Sequence, residues 1–82
     1  MNRIDLQQRL REEKVDELSY SLEGGLPNER YVLSKERNVW SVYYSERGIM
    51  TNLHVFETES DACLYLLQQL LNDPTTRKRN SY

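Results

Sequence analysis

The sequence predicts an α+β domain of order α-β-β-β-α, in which two helices cover one face of a three-stranded antiparallel meander sheet. Three observations favour it: an amphipathic pattern near the N-terminus, alternating β-branched and aromatic residues in the middle, and an apolar helical stripe after residue 58. The strands are separated by very short turns, and consecutive strands joined in this way pair antiparallel. A sheet that is apolar on one face needs a helical cover.

The size and composition are those of one small domain. The chain has 82 residues, of which 38% are apolar and 29% are charged. A domain of this size buries only about 60% of the surface of its unfolded chain, so its core is thin. We expect a compact domain over residues 1–74. Residues 75–82 lack apolar periodicity and are expected to form a frayed or disordered polar tail.

The first helix is predicted over residues 2–14. Its apolar residues fall near a helical stripe: Ile4, Leu6, Leu10 and Val15. Asn2 or Asp5 can cap its first turn. Residues 16–26 are ambiguous between a continued helix and an extended segment, and Gly24-Gly25 ends either one. No Lys-Ser/Thr pair follows these glycines, so a loop is favoured over a phosphate-binding site.

The strands are predicted over residues 30–35, 39–44 and 49–56. The central strand is expected to bury Trp40 and to place Tyr43 on the opposite face. Gly48 closes the second hairpin, where a positive φ is needed. In the third strand, simple alternation predicts that one face carries Ile49, Thr51, Leu53 and Val55, and the other Met50, Asn52, His54 and Phe56.

The second helix is predicted to begin after Thr58, a capping residue that is followed by acidic side chains. Its apolar stripe consists of Ala62, Cys63, Leu66, Leu67, Leu70 and Leu71, and we expect Leu66 and Leu70 to be core residues. The helix is expected to end at 72–74, where a proline follows.

The residue types exclude most site chemistries. His54 is the only histidine and has no companion ligands at zinc spacing, so neither a metal nor another cofactor is expected. Cys63 lies on an apolar stripe, which favours a buried hydrophobic residue over a nucleophile. Glu46 and Arg47 pair an acid with a base, but a hairpin tip offers little room for a desolvated cleft. We therefore expect a protein that is not an enzyme.

The composition also predicts the compartment. The lone cysteine fits a reducing environment, no run of about 18 apolar residues could span a membrane, and charges replace the apolar stretch of a signal peptide. These features predict a cytoplasmic protein. The sequence leaves open whether the chain forms a homodimer.

The charge is unevenly distributed. The net charge is −2, but residues 1–74 hold eight basic and thirteen acidic residues, a net of −5. An acidic body suits a basic partner better than a phosphate backbone. The alternative is a small nucleic-acid-binding or regulatory adaptor that uses the tyrosine-bearing sheet face and the basic residues Arg77, Lys78 and Arg79.

Three segments carry a family resemblance: residues 22–29 (LEGGLPNE), 40–48 (WSVYYSERG) and 56–63 (FETESDAC). Across roughly residues 18–72 the chain resembles small immunity proteins encoded beside bacterial polymorphic toxins, including those of contact-dependent growth inhibition. The resemblance implies a cytoplasmic, non-enzymatic protein that binds one cognate toxin domain, often a nuclease, and commonly covers its active site. It supplies no contact residues.

Candidate contact residues therefore come from the expected exposed surface alone. They are Tyr43, Glu46 and Arg47 on the open sheet face and hairpin tip, with the acidic residues Glu29, Glu36 and Glu57. The competing interpretation is that these residues have structural roles. Gly48 allows the turn, Trp40 packs in the core, and Arg47 forms an ion pair within the protein.

Overall fold

The computed structural model describes residues 1–77, which form an α+β domain with two helices and one four-stranded sheet. The elements in chain order are α1 (Arg3–Glu12), β1 (Tyr20–Ser21), β2 (Arg30–Glu36), β3 (Val39–Glu46), β4 (Ile49–Phe56) and α2 (Glu59–Asn72). Short 3₁₀ helices cover Glu17–Ser19 and Pro74–Thr76. Within residues 1–77, no helix is both long and apolar enough to cross a membrane.

The sheet has one strand more than predicted, and it is mixed. The strand order is β1-β2-β3-β4, and β2, β3 and β4 form the expected antiparallel meander. The two-residue strand β1 adds to β2 in parallel, with Tyr20 beside Tyr31. The strictly antiparallel three-stranded prediction was therefore wrong. Residues 16–26 gave too short an alternating pattern to identify β1, and a parallel pairing depends on the path of the following loop rather than on a tight turn.

The first helix is capped as predicted, but its buried stripe is narrower. The Asn2 side chain accepts from the Asp5 amide, and the Asp5 side chain accepts from the Asn2 amide, which completes a capping box. Leu6 and Leu10 are fully buried because they lie one turn apart on the same face. Ile4 is 78% exposed. It was wrongly assigned to the stripe, since it precedes Leu6 by half a turn and points away from the core.

The core lies between the helices and one face of the sheet. The predicted core residues Trp40, Leu66 and Leu70 are buried there, as is Cys63. The other buried members of this cluster are Leu6, Leu10, Val15, Tyr20, Leu33, Val42, Ala62 and Leu67. The sheet therefore has one densely covered face, as its alternation predicts.

The second face of the sheet is not open where Tyr43 lies. A loop over residues 22–29 crosses it and buries Val32 and Tyr43, which are 0% and 5% exposed. The Tyr43 hydroxyl donates a 2.6 Å hydrogen bond to the Gly25 carbonyl. Gly24 has a φ of +72°, and a Cβ there would come within 3.0 Å of the Ser34 hydroxyl, so glycine suits this close approach.

A β-bulge in β4 overturns the predicted face assignment of that strand. Val42 pairs with His54 but Tyr44 pairs with Thr51, so one residue of β3 faces two residues of β4. Asn52 takes up the extra residue at a φ of +55°. Beyond the bulge the alternation is reversed. His54 and Phe56 consequently share the helix side with Ile49 and Thr51, while Val55 joins Met50 on the other side.

The folded domain extends beyond residue 74. Thr76 is 3% exposed, and its hydroxyl donates to the carbonyls of Leu70 and Asp73. Arg77 forms an isolated bridge with Val15, and its guanidinium donates to the Glu13 carbonyl. Residues 75–77 therefore pack against the domain instead of fraying. The remainder of the predicted tail, 78–82, lies outside the described residues.

Candidate functional site

A cleft of about 430 Å³ lies between the C-terminal half of α2 and the helix side of the sheet. Its lining comes from three strands and one helix. The residues are Tyr31 of β2, Val42, Tyr43 and Tyr44 of β3, Asn52 and His54 of β4, Tyr65 and Gln69 of α2, and Asp73. We call it the tyrosine cleft. The sequence analysis did not predict it.

The spacing of residues in α2 explains one wall. Tyr65, Gln69 and Asp73 follow one another at intervals of four, so they form a single row beside the apolar stripe. Each side chain is partly buried. This polar row is the only feature of the sequence that could have indicated the cleft. It is not specific, because an ordinary half-exposed helix also carries polar residues at the edge of its apolar stripe.

The aromatic rings are packed against one another. Tyr31 and Tyr44 are neighbours across β2 and β3, with ring centroids 5.0 Å apart and planes at 69°. Tyr65 lies 4.7 Å from the His54 ring and 5.3 Å from the Phe56 ring, measured between centroids. Edge-to-face and offset contacts of this kind are favourable and hold the rings in defined positions.

A hydrogen bond fixes the closed end of the cleft. The Tyr31 hydroxyl donates to Asp73 Oδ2 over 3.0 Å, while the amide and hydroxyl of Thr75 donate to Oδ1. Burial, together with this bond, raises the pKa of Tyr31 to about 12. The bonds from Thr75 lower the pKa of Asp73, with a smaller contribution from Tyr31. The tyrosine therefore remains neutral and the aspartate remains charged near neutral pH.

The charged groups that raise the pKa of the Tyr44 hydroxyl are acidic. Burial raises the pKa of its hydroxyl, and the further increases come from Glu46, Glu29 and Asp73. Glu29 also lines a smaller groove next to the cleft, and this groove shares Tyr31, Tyr44 and Asp73 with it. The arrangement offers hydroxyl donors, carboxylate acceptors and aromatic faces in a field that attracts cations.

The structure separates the predicted contact residues into two groups. Glu29, Glu46 and Arg47 lie at the sheet end that carries the β3–β4 turn, which is also the end of the tyrosine cleft. Glu36 and Glu57 lie at the other end, beside the β2–β3 turn and the start of α2. Strands of seven or eight residues separate these ends by roughly 23 Å.

Tyr43 and Gly48 occupy structural positions, whereas the Arg47 side chain is exposed. Tyr43 is buried beneath the 22–29 loop, so it is not on an exposed surface as expected. Gly48 has a φ of +77° in the turn, where a Cβ would meet no atom within 4 Å. The Arg47 amide donates to Asn28 Oδ1 over 3.1 Å, while its side chain is exposed. Arg47 is in none of the ion pairs found within residues 1–77.

The two residues considered for metal or nucleophilic chemistry have different surroundings, since Cys63 is fully buried and His54 is exposed. Burial raises the pKa of the Cys63 thiol to about 11, which keeps it protonated and unreactive near neutral pH. His54 contacts the Tyr65 hydroxyl through Nδ1 at 3.2 Å. Over residues 1–77, no group of three or more His, Cys, Asp or Glu side chains is arranged to hold a metal ion.

Comparison with protein-family models, curated proteins and solved structures found no match to this chain.

Proposed function

We propose that this protein is an immunity protein that binds a cognate toxin domain in the cytoplasm and neutralises it by occlusion, without catalysis. The sequence support is the resemblance of residues 22–29, 40–48 and 56–63 to that class of protein. Such toxins are often nucleases, whose phosphate-binding surfaces are positively charged. A negatively charged protein can be steered towards such a surface and cover it.

One structural observation carries the proposal. Glu29 and Asp73 line a groove with the half-buried Tyr31 and Tyr44, and Glu46 lies near Tyr44 at the same end of the sheet. Aromatic side chains are common anchors in protein interfaces, and carboxylates around them favour a basic partner. The exposed β3–β4 hairpin tip extends the same surface.

The same charges weigh against the adaptor alternative. A platform for single-stranded nucleic acid stacks bases on aromatic rings within a positively charged groove. Here the tyrosines are flanked by carboxylates, which repel phosphates. The basic residues Lys78 and Arg79 lie outside the described residues.

Co-expression tests the proposal. A toxic domain encoded immediately upstream of this chain's gene would be expressed in bacteria with and without the intact protein. We expect growth to be restored only with the protein, and the two chains to copurify. Continued growth arrest with the soluble protein present would overturn the proposal, as would rescue by destruction of the toxin rather than by complex formation.

A further inference from the structure

We propose that the tyrosine cleft receives the cationic end of a lysine or arginine side chain that projects from the partner protein. This inference rests on the proposed function for the origin of the side chain. The binding chemistry belongs to the cleft itself, so it can be tested without the toxin.

Asp73 is the only acidic residue among those that line the cleft, and no Lys or Arg belongs to the lining. Asp73 is held by three neutral donors, from Tyr31 and Thr75, which keep it ionised without cancelling its charge. The ion pairs found within residues 1–77 all lie elsewhere and join Arg9, Arg11 and Arg77 to Glu13 and Glu17. Glu29 and Glu46 add to the negative field at Tyr44. An incoming ammonium or guanidinium group would balance these charges.

The aromatic rings complete the site. A cation is attracted to a ring face within about 6 Å of its centroid, most strongly where water is excluded. The nearly perpendicular rings of Tyr31 and Tyr44 present faces in two directions beside Asp73. Tyr65 closes the opposite wall. Rings together with a charge-assisted hydrogen bond distinguish a cation from a neutral side chain.

Trp40 and the tyrosine cleft differ in whether the chain supplies a cation to their rings. Trp40 already carries two cations from this chain, Lys35 Nζ at 5.2 Å and the Arg3 guanidinium carbon at 6.0 Å from the ring centroid. No corresponding cation lies over Tyr31, Tyr44 or Tyr65 among residues 1–77. The tryptophan site is satisfied internally, whereas the tyrosine cleft is left for a group supplied from outside.

The cleft volume also suits this occupant. Ligand pockets are typically about 300–1,000 Å³, and a cleft of about 430 Å³ lies near the lower bound. The cleft lies at the protein surface, so a long side chain can enter it while its backbone remains outside. Gln69 and Asn52 offer amide oxygens along the walls as further acceptors.

NMR titration of the full chain tests the inference. The probes are N-acetyl-arginine amide and N-acetyl-lysine amide, with N-acetyl-citrulline amide as the neutral match for arginine. We expect saturable shifts centred on Tyr31, Tyr44, Tyr65 and Asp73 with at least one cationic probe and none with citrulline. Shifts with arginine alone identify a guanidinium site, and shifts with lysine alone identify an ammonium site.

Two variants locate the binding. Asp73→Asn should weaken probe binding at least fivefold, whereas Glu57→Gln, which removes a carboxylate at the far end of the sheet, should leave it unchanged. Tyr44→Leu removes an aromatic face but retains Asp73, and it should also weaken binding. If Asp73→Asn does not fold, the Tyr44→Leu result decides whether the probe binds in the cleft.

Equal shifts with citrulline, undiminished binding in either cleft variant, or shifts centred on Trp40 would overturn the inference. Failure of the two proposals can be told apart. A probe that binds the cleft without toxin rescue leaves the cation site standing and refutes the immunity function. Rescue from the toxin without probe binding supports the immunity function and refutes the cation site.

Discussion

The Tyr43 hydroxyl and the Gly25 carbonyl oxygen meet at 2.6 Å on the face of the sheet opposite the helices. Through this bond the central strand holds the loop over residues 22–29. The loop is also held by the Gly24 amide, which donates to the Leu33 carbonyl, and by Asn28, which accepts from the Arg47 amide. Residues 22–29 and the central strand are thus connected in space, and the connection is structural.

Replacing Tyr43 with Phe should destabilise the domain through loss of this bond. The ring stays buried, so the variant loses one hydrogen bond and leaves the Gly25 carbonyl without its donor. The expected cost is about 1–2 kcal/mol in the free energy of unfolding. Amide hydrogen exchange should accelerate in residues 22–29. Urea denaturation and exchange measured by NMR provide the two readouts.

Tyr44→Phe is the matched control, since it removes a hydroxyl from the adjacent residue on the other face of the sheet. It should change stability by no more than about 0.5 kcal/mol. Equal stability and equal loop exchange in both variants would show that the Gly25 bond does not hold the loop.

The sequence predicted the helices and the three-stranded meander because these depend on local periodicity. It could not predict which face remained open. Tyr43 alternates with Trp40 and Val42, and alternation alone cannot show that a loop with two glycines folds back over it. The tyrosine cleft was missed for a second reason. A bulge at Asn52 turns His54 to the helix side, and neither the position of the bulge nor its occurrence follows from the alternating pattern.

The pH dependence of stability should include a contribution from Asp73. Its pKa is lowered from an ordinary value of 3.8, so the folded state retains the ionised carboxylate to a lower pH than the unfolded chain does. The stabilisation is present above pH 3.8 and is lost as the pH falls through the lower folded value. Asp73→Asn should therefore lose less stability than the native chain between pH 6 and pH 3.

Urea midpoints at the two pH values give this comparison, and Asp61→Asn, at the other end of α2, is the control for general acid effects. An identical loss of stability in the native chain and in Asp73→Asn would show that the hydrogen bonds from Thr75 and Tyr31 do not favour the ionised form.

Two truncations should separate the folded C-terminus from the residues beyond it. Ending the chain at Pro74 removes Thr76, whose backbone carbonyl accepts from the Asp16 amide over 2.7 Å and whose hydroxyl closes the end of α2. The loss of several partly buried hydrogen bonds should cost about 2–4 kcal/mol. Ending it at Arg77 should cost under about 0.5 kcal/mol.

The chain that ends at Arg77 also tests the adaptor alternative. It lacks Lys78 and Arg79, and we expect it to keep the fold. Toxin binding should survive removal of residues 78–82. Strong binding to single-stranded oligonucleotide that is steeply salt-dependent and disappears with those residues would favour the adaptor instead.

Charge reversal should weaken toxin binding at one end of the sheet only. Glu46→Lys and Arg47→Glu change exposed side chains at the hairpin tip, so circular dichroism should remain native. Glu46→Lys places a positive charge against a basic partner, whereas Arg47→Glu removes a guanidinium that can pair with a partner carboxylate. Each should weaken binding about tenfold or more, which corresponds to ~1.4 kcal/mol. Calorimetry with the cognate toxin domain gives the affinities.

Glu36→Lys and Glu57→Lys introduce comparable charge reversals roughly 23 Å away and should bind nearly as the native chain does. Equal weakening by Glu46→Lys, Glu36→Lys and Glu57→Lys, with tighter binding by Arg47→Glu, would indicate long-range charge attraction without a defined contact surface. Weakening confined to Glu36 and Glu57 would place the interface at the opposite end.

Occlusion without chemistry is tested most directly by titrating the purified toxin domain with the purified protein while the toxin's activity is followed. The account predicts a linear fall to zero at one equivalent, with both chains recovered intact from the complex. Undiminished activity at excess protein would contradict it. Complete inhibition by far less than one equivalent would also contradict it, since that result requires turnover.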